Sequence, residues 1–254
     1  METVVEKVRS PTKDDMLNMI RGTLIIDFIT LICFIFKSIC LGLFRYFFQP
    51  LPLKNVSDDI VLITGAGHAI SREIAVEIAK HRPKLIILWG RGREALASTC
   101  SAIELYGVDC IYQICDITHQ ERVFLKAQDI QDTHGSVTIL VYNCGVNCCQ
   151  SYFNIDESET DKSLEFNLMD HCWILQAFLP AMVEAQRGHL VNINSMLGLM
   201  SLSAASEYCS SQLCGLTFNE ALAYQLKNSN IFITSVHSYA VDESVASGKP
   251  SYGF

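Results

Sequence analysis

Short apolar runs alternate with segments of helical periodicity through most of this chain. Six runs have the length and composition of buried strands: 59–65, 84–90, 109–116, 137–145, 188–195 and 230–237. Between them, apolar residues at helical spacing predict helices over 71–82, 93–107, 118–134, about 159–186 (interrupted or ended near Pro180) and 206–228. Continuous apolar strands alternating with helices predict a parallel sheet that is covered on both faces. We therefore expect an α/β fold, a Rossmann-type doubly wound parallel sheet.

The composition fits one large globular domain and argues against nucleic acid as a partner. The chain has 254 residues, of which 50% are apolar and 18% are charged, so it can bury a sizeable core. The formal net charge is −8, and nucleic-acid binders usually carry a basic stripe instead.

The cysteines indicate a reduced environment. There are 11 of them, at irregular spacings, which is typical of free thiols facing the cytosol. Cys144, Cys148 and Cys149 lie close together, but no C-x-x-C pair or neighbouring histidine completes a ligand set. We therefore predict no metal site.

An apolar segment precedes the alternating region. Residues 23–48 read TLIIDFITLICFIFKSICLGLFRYFF, which is long enough for a membrane span of about 20 residues. Asp27 and Lys37 interrupt it, and a charge at mid-span costs about 2.5–3.5 kcal/mol. The segment either spans with Lys37 snorkelling, lies in the interface, or packs on the globular domain. No small-residue cleavage site follows it, which argues against a signal peptide.

These features divide the chain into four parts. We expect an N-terminal segment over 1–22, a hydrophobic membrane anchor over 23–49, a proline-containing linker over 50–57 and a Rossmann-type domain over 58–254.

The turn after the first strand, TGAGHAIS at 64–71, has the position of a dinucleotide pyrophosphate site. Backbone N–H groups and the dipole of the following helix face the phosphates in such a turn.

The second strand ends at Gly90, without the acidic residue that binds the adenosine ribose of NAD. Arg91 and Arg93 follow. They favour binding of the 2′-phosphate of NADP. The alternative interpretation is that they are solvated arginines on a surface loop.

Further polar residues stand where other strands end. Asp116 closes the third strand and Asn143 the fourth, while Ser195 ends the fifth, 13 residues before Tyr208. A tyrosine phenol with a lowered pKa can exchange a proton with an alcohol or carbonyl oxygen, and a serine hydroxyl can hold that oxygen. Asn167 in the preceding helix could order a water.

These motifs, in this order, resemble the short-chain dehydrogenase/reductase superfamily over about residues 57–240. TGAGHAIS is similar to the T-G-x-x-x-G-x-G loop, and YNCG at 142–145 to the N-N-A-G turn. The N-terminus and FLPAMVEAQRGHLVNINS look most like the membrane- and lipid-droplet-associated 16C branch, with epidermal retinol dehydrogenases and 17β-hydroxysteroid dehydrogenases. The resemblance implies a catalytic set of Asn167, Ser195, Tyr208 and Gln212. It implies cofactor contacts at Thr64, Gly65, Gly67, His68, Ala69, Ile70, Ser71, Arg91, Asp116, Asn143 and Gly145.

The chain departs from the family pattern at three places. Gln212 stands where the family has the lysine of Y-x-x-x-K, whose charge lowers the tyrosine pKa and whose ammonium binds the nicotinamide ribose. Ala69 and Ser71 replace two loop glycines, which predicts crowding of the pyrophosphate. After the sixth strand, the family's Pro-Gly, a seventh strand and most substrate-binding helices are expected to be missing.

Two functions follow. The first is an oxidoreductase using NADP, or NAD, on a retinoid, steroid or other lipid alcohol, with weak or lost activity. The second is an inactive relative that binds a cofactor, a lipid or a protein. In both, we expect the endoplasmic reticulum membrane or lipid droplets as the location, a cytosolic globular domain and possible homodimers.

Overall fold

The computed structural model describes residues 13–48, 53–143, 164–201 and 205–239, without the side chains of 13–25, 45–48 and Ala69. The chain divides into two units, Met1–Lys54 and Asn55–Phe254. In the first unit, helix α1 covers Lys13–Phe48. Its stretch Ile26–Phe44 is the one helical segment of the described residues that is long and apolar enough to cross a membrane. The large apolar side chains of this stretch are exposed.

The second unit alternates strands and helices as the sequence predicts. The strands are β1 Ile60–Ile63, β2 Leu85–Gly90, β3 Cys110–Ile114, β4 Ile139–Tyr142, β5 Gly188–Ser195 and β6 Ile231–Ser238. The helices are α2 Ala69–Ala79, α3 Arg93–Glu104, α4 Gln120–His134, α5 Asp170–Glu184 and α6 Ser206–Gln225. A π-helical turn, Glu165–Met169, leads into α5, and a 3₁₀ turn, Met196–Gly198, follows β5.

The six strands form one parallel sheet in the order β3-β2-β1-β4-β5-β6. Alternate strand residues face opposite sides, so the core has two layers. One layer packs Leu62, Trp89 and Leu140 against α4 and α5, and the other packs Val61, Ile86 and Val141 against α2 and α3. The predicted Rossmann-type fold is confirmed. The strand order reverses between β1 and β4, which is where ligands bind in such sheets.

The prediction that the long helix is interrupted or ends near Pro180 is wrong. Helix α5 continues through Pro180 to Glu184. A proline inside a helix costs about 3 kcal/mol. Here Phe178 and Met182, on either side of it, are fully buried against the sheet, and this packing outweighs the loss of one backbone bond.

The third strand is shorter than predicted. It ends at Ile114, and the backbone N–H of Cys115 makes the last bond to β2, at the carbonyl of Gly90. Because β2 itself ends at Gly90, the ladder stops there. Asp116 therefore lies in the loop beyond the strand, at the carboxyl edge of the sheet.

Candidate active site

The turn between β1 and α2 has the backbone geometry of a phosphate site. Gly65 has φ 64°, a left-handed conformation that favours glycine. The N–H of Ala66 donates to the carbonyl of Trp89 at 3.0 Å, which holds the turn against the end of β2. His68 precedes the first residue of α2, but its side chain makes no capping bond. The first N–H groups of α2 thus have no side-chain cap, and such groups bind anions.

Ser71 does not crowd the space in front of this turn. Its side chain is fully buried, and its hydroxyl donates to the carbonyl of Thr64 at 3.1 Å. The same Oγ accepts from Nδ2 of Asn143 at 2.5 Å. The serine thus turns inward and links the end of β1 to the end of β4, so the crowding predicted at Ser71 is not supported. The side chain of Ala69 lies outside the description.

Thr64 and Asn143 tie the two central strands together at their carboxyl ends. The backbone N–H of Asn143 donates to Oγ1 of Thr64 at 3.1 Å, and the N–H of Thr64 donates to the carbonyl of Val141 at 3.0 Å. Both residues therefore lie where the sheet order reverses.

Gly145, together with Cys144, Cys148 and Cys149, lies outside the described residues. Within them, no group of three His, Cys, Asp or Glu side chains is arranged for a metal ion.

The end of β2 is a glycine, and two exposed arginines, Arg91 and Arg93, follow it. A Cβ on Gly90 would come within 3.2 Å of Cδ2 of Leu96 and 3.6 Å of the Gly67 nitrogen, so a side chain here would press on the core and on the turn. Arg91 is exposed, and its guanidinium has no hydrogen bond or salt bridge within the described part of the chain.

Asp116 already has local partners in its loop. Its Oδ1 accepts from the backbone N–H of Thr118 at 3.3 Å and from Oγ1 of Thr118 at 3.0 Å. This local turn fixes the carboxylate beside the end of β3. Oδ2 accepts no hydrogen bond from the described residues.

The residue at the position of the family lysine is used inside the fold. Gln212 is buried, and its Oε1 accepts from the backbone N–H of Ser195 at 3.0 Å. The 3₁₀ turn packs directly on the same helix, since a Cβ on Gly198 would lie 3.1 Å from Cβ of Gln212. The hydroxyl of Ser195 accepts from the N–H of Leu197 at 3.2 Å and so caps this turn.

Asn167 and Tyr208 are connected through a residue that the sequence analysis missed. Nδ2 of Asn167, in the π-helical turn, donates to Oγ of Ser211 at 2.8 Å, and that hydroxyl donates to the carbonyl of Tyr208 at 2.9 Å. Ser211 lies three residues after Tyr208, one helical turn on. That spacing is the only signal that could have identified it. Oδ1 of Asn167 is buried without a protein partner in the described regions, which suits an ordered water.

Two buried ionisable side chains next to this network also escaped prediction. Burial raises the pKa of Asp170 to about 7, and the charges of Glu165 and Asp116 add to this. Burial lowers the pKa of His171 to about 4. The ring of His171 stacks on Tyr142 with centroids 4.5 Å apart. They are adjacent in the first turn of α5, and two neighbouring polar residues at a helix start give no sequence signal of burial.

Residues 59–250 match the short chain dehydrogenase family. The chain belongs to this family. The resemblance on which the sequence analysis relied is therefore confirmed.

The short-chain dehydrogenase domain has curated relatives in the 16C-like branch. It is 33% identical to short-chain dehydrogenase/reductase family 16C member 6 of Bos taurus, over 83% of this chain and 70% of that protein. It is 35% identical to estradiol 17-beta-dehydrogenase 11 of Homo sapiens, over 70% of this chain and 59% of that protein. It is 33% identical to epidermal retinol dehydrogenase 2 of Mus musculus, over 76% and 63%. The chain spans about three fifths of the length of the latter two relatives.

Solved structures agree on the fold. A metagenomic short-chain oxidoreductase in complex with NADP superposes with a TM-score of 0.69 and 25% identity, over 72% of this chain and 83% of the other. An NAD⁺-bound xylitol dehydrogenase superposes with a TM-score of 0.70 at 24% identity, over 73% and 72%. Members with this fold therefore bind either dinucleotide.

Proposed function

We propose that this chain is a membrane-associated, NADP(H)-binding oxidoreductase of a retinoid or steroid alcohol whose turnover is attenuated by Gln212. Its family is one of nicotinamide-dependent oxidoreductases, and two of its relatives are named for estradiol and retinol. The globular unit would work in the cytosol beside the endoplasmic reticulum or a lipid droplet, where such apolar substrates partition.

The cofactor part of the proposal rests on the β1–α2 turn and Arg91. The uncapped start of α2 and the left-handed Gly65 fit a pyrophosphate. The exposed guanidinium of Arg91 fits a 2′-phosphate better than a free ribose hydroxyl. A bound nicotinamide would accept hydride from the alcohol carbon.

The chain's own residues would manage the proton and the oxygen. Tyr208, as its phenolate, would take the proton of the alcohol, and Oγ of Ser195 would hold the alcohol oxygen. Oγ of Ser195 accepts from Leu197, so its hydrogen remains available to donate. Asn167 and Ser211 would keep the backbone of Tyr208 in place through their two bonds.

The observation that carries the proposed attenuation is the bond from the Ser195 N–H to Oε1 of Gln212. An ammonium at this position would stabilise the phenolate of Tyr208. At an effective dielectric of 20 and about 4 Å, a unit charge contributes roughly 4 kcal/mol, or about three pKa units. The neutral amide contributes no such charge, and its oxygen is engaged with the end of β5.

We expect Gln212→Lys to raise turnover of a retinoid or steroid alcohol about tenfold or more, since that requires only about 1.4 kcal/mol. Initial rates from mildly acidic to alkaline pH would measure it. The matched control is Gln212→Met, which also loses the bond to Ser195 but gains no charge, and it should not accelerate turnover. Adding Tyr208→Phe to the lysine variant should abolish the gain. A wild type already as fast as Gln212→Lys would contradict attenuation.

A second candidate function, cofactor binding without turnover, is favoured by the same buried bond of Gln212. Fluorescence titration with NADPH and NADH, followed by rate measurements with retinol, separates the two functions. The proposed enzyme binds NADPH more tightly than NADH and turns over slowly. Binding with no turnover in the wild type or in Gln212→Lys would favour the second function. Absence of binding to either dinucleotide would refute both.

A further inference from the structure

Buried polar side chains lie between β5, α5 and α6, behind the candidate active site. They are Asn192 and Asn194 of β5, His171 of α5 and Asn219 of α6, and their exposed fractions are only 2–7%. Oδ1 of Asn192, Nδ2 of Asn194, Nδ1 of His171 and Nδ2 of Asn219 make no hydrogen bond within the described residues. We call these side chains the β5–α6 polar site. Buried polar groups in folded proteins are nearly always satisfied, so this site requires a partner.

The members on β5 and α5 point into the same space. Leu190 belongs to the core layer that packs against α4 and α5, so Asn192 and Asn194 point to the same face of the sheet. Tyr142 of β4 is the register partner of Asn192. The ring of His171 stacks on Tyr142, with centroids 4.5 Å apart. The histidine therefore lies beside the two asparagines, on the side of the sheet that α5 covers.

Helix α6 brings Asn219 to the same space. The chain passes through α6 between the parallel strands β5 and β6, so this helix runs antiparallel to β5. A Cβ on Gly215 would lie 3.9 Å from Oδ1 of Asn194, which places these two residues side by side. Asn219 comes one turn after Gly215, about 5.4 Å along the helix. Asn192 comes two residues before Asn194, about 6.6 Å in the same direction. Asn219 is therefore level with Asn192.

The chemistry of the site fits water better than an ion. The amide nitrogens of Asn194 and Asn219 can only donate, whereas Oδ1 of Asn192 can only accept. Burial lowers the pKa of His171 to about 4, so its ring is neutral and offers one donor and one acceptor. A cation would leave the donors unsatisfied and an anion would leave the acceptors unsatisfied. A water molecule both donates and accepts, and it satisfies the two kinds together.

We propose that ordered water molecules bind the β5–α6 polar site and connect α6 to the sheet through shared hydrogen bonds. A buried water typically makes about three such bonds to groups that lack a protein partner. The same face of α6 carries Gln212, one turn before Gly215. The carbonyl oxygen of Asn167 lies 3.4 Å from a Cβ built on Gly215, so the site adjoins the candidate active site directly. This inference concerns bonds within the folded chain and does not depend on turnover of a substrate.

Asn219→Leu gives opposite results with and without these waters, because leucine has a similar volume but no polar group. If waters bind the amide, the substitution removes one of their partners and leaves the other members short of a bond. The equilibrium constant for unfolding of the full chain in detergent, measured with urea, should then rise about tenfold or more. If the amide has no partner, leucine removes a desolvated polar group and the constant should fall. The matched control is the exposed Asn228→Leu, which should change it by less than about threefold.

A double-mutant cycle and a crystal structure complete the test. Asn194→Leu and Asn219→Leu disrupt the same waters, so the double variant should lose less stability than the two single effects combined. A high-resolution crystal structure of the full chain should show water oxygens within about 3.2 Å of at least two members of the β5–α6 polar site. Stabilisation by Asn219→Leu or independent effects of the two substitutions would overturn the proposal. So would a crystal structure in which these side chains bond to other protein groups instead of water.

Discussion

At the scale of single residues, the family pattern and the observed contacts give different accounts of the same positions. By comparison with the family's lysine, Gln212 lacks a catalytic charge. In the structure, however, its amide oxygen accepts a hydrogen bond from the backbone N–H of Ser195 and so connects α6 to β5. By comparison with the family's loop glycine, Ser71 is predicted to crowd the pyrophosphate. In the structure, however, its hydroxyl bonds to Thr64 and Asn143 and so connects β1 to β4. Each replacement has become part of the internal hydrogen bonding at the carboxyl end of the sheet.

Ser71→Gly should therefore destabilise the fold without improving cofactor binding. Losing the hydroxyl leaves the Asn143 amide without its acceptor, at a cost of about 1–3 kcal/mol, and glycine in a helix adds about 1 kcal/mol. Urea unfolding and NADPH titration of the same samples would measure both effects. Ser71→Ala is the control that loses the hydroxyl but keeps a helix-favouring Cβ. A variant with unchanged stability and tighter NADPH binding would restore the crowding hypothesis.

At the scale of elements, α1 and α5 are both rich in apolar residues, but their side chains differ in exposure. The side chains of Ile26–Phe44 are exposed along the helix, whereas α5 buries Ile174, Phe178 and Met182 in the sheet core. A helix of 36 residues extends about 54 Å, more than the roughly 30 Å of a bilayer's hydrocarbon core. These features support α1 as the membrane-binding element.

Deleting residues 1–49 should move the protein from the membrane fraction to the soluble fraction. The reason is that the deletion removes the whole exposed apolar stretch of α1 while leaving both layers of the sheet core intact. Fractionation of cells expressing each form would measure the distribution. A shorter deletion, of residues 1–12, keeps α1 and should leave the protein on the membrane. Unchanged membrane recovery of the longer deletion would count against the anchor.

At the scale of the whole molecule, stability depends on two buried groups with opposing titrations. The raised pKa of Asp170 means that the folded state binds its proton more tightly than the unfolded state does, so this contribution to stability is lost as pH rises from about 4 to about 7. The lowered pKa of His171 has the reverse effect, since its contribution is lost as pH falls from about 6.5 to about 4. The two slopes partly cancel in the native chain.

Asp170→Asn should raise the free energy of unfolding at pH 8 by roughly 4 kcal/mol, because it removes a buried charge, and the gain should vanish near pH 4. The titration of His171 contributes the same pH dependence to the free energy of unfolding of the wild type and of Asp170→Asn. It therefore cancels when the two free energies are subtracted. Urea unfolding of both proteins between pH 4 and pH 8 would measure this gain, with the exposed Asp58→Asn as the control. A gain independent of pH would show that folding does not raise the pKa of Asp170, and a loss at pH 8 would show that its carboxylate is stabilised in the folded state.

The sequence by itself determined the order of the elements, the sheet type and the edge of the sheet at which the candidate site residues lie. These features are local, because apolar periodicity and the residues at strand ends depend on neighbours along the chain. The strands β1, β2 and β5 and the helix starts near Arg93 and Ser206 were predictable for this reason. The local pattern wrongly predicted a helix break near Pro180. Burial of the neighbouring side chains against the sheet outweighed the unfavourable helix propensity of proline.

Only the tertiary structure decided which atoms meet. The bond from Ser195 to Gln212 joins residues 17 apart, and the bond from Asn143 to Ser71 joins residues 72 apart, so no local pattern specifies either. The same holds for the buried environment of Asp170. Each results from the packing of several distant segments at once, and burial and hydrogen-bond partners are fixed only when those segments come together.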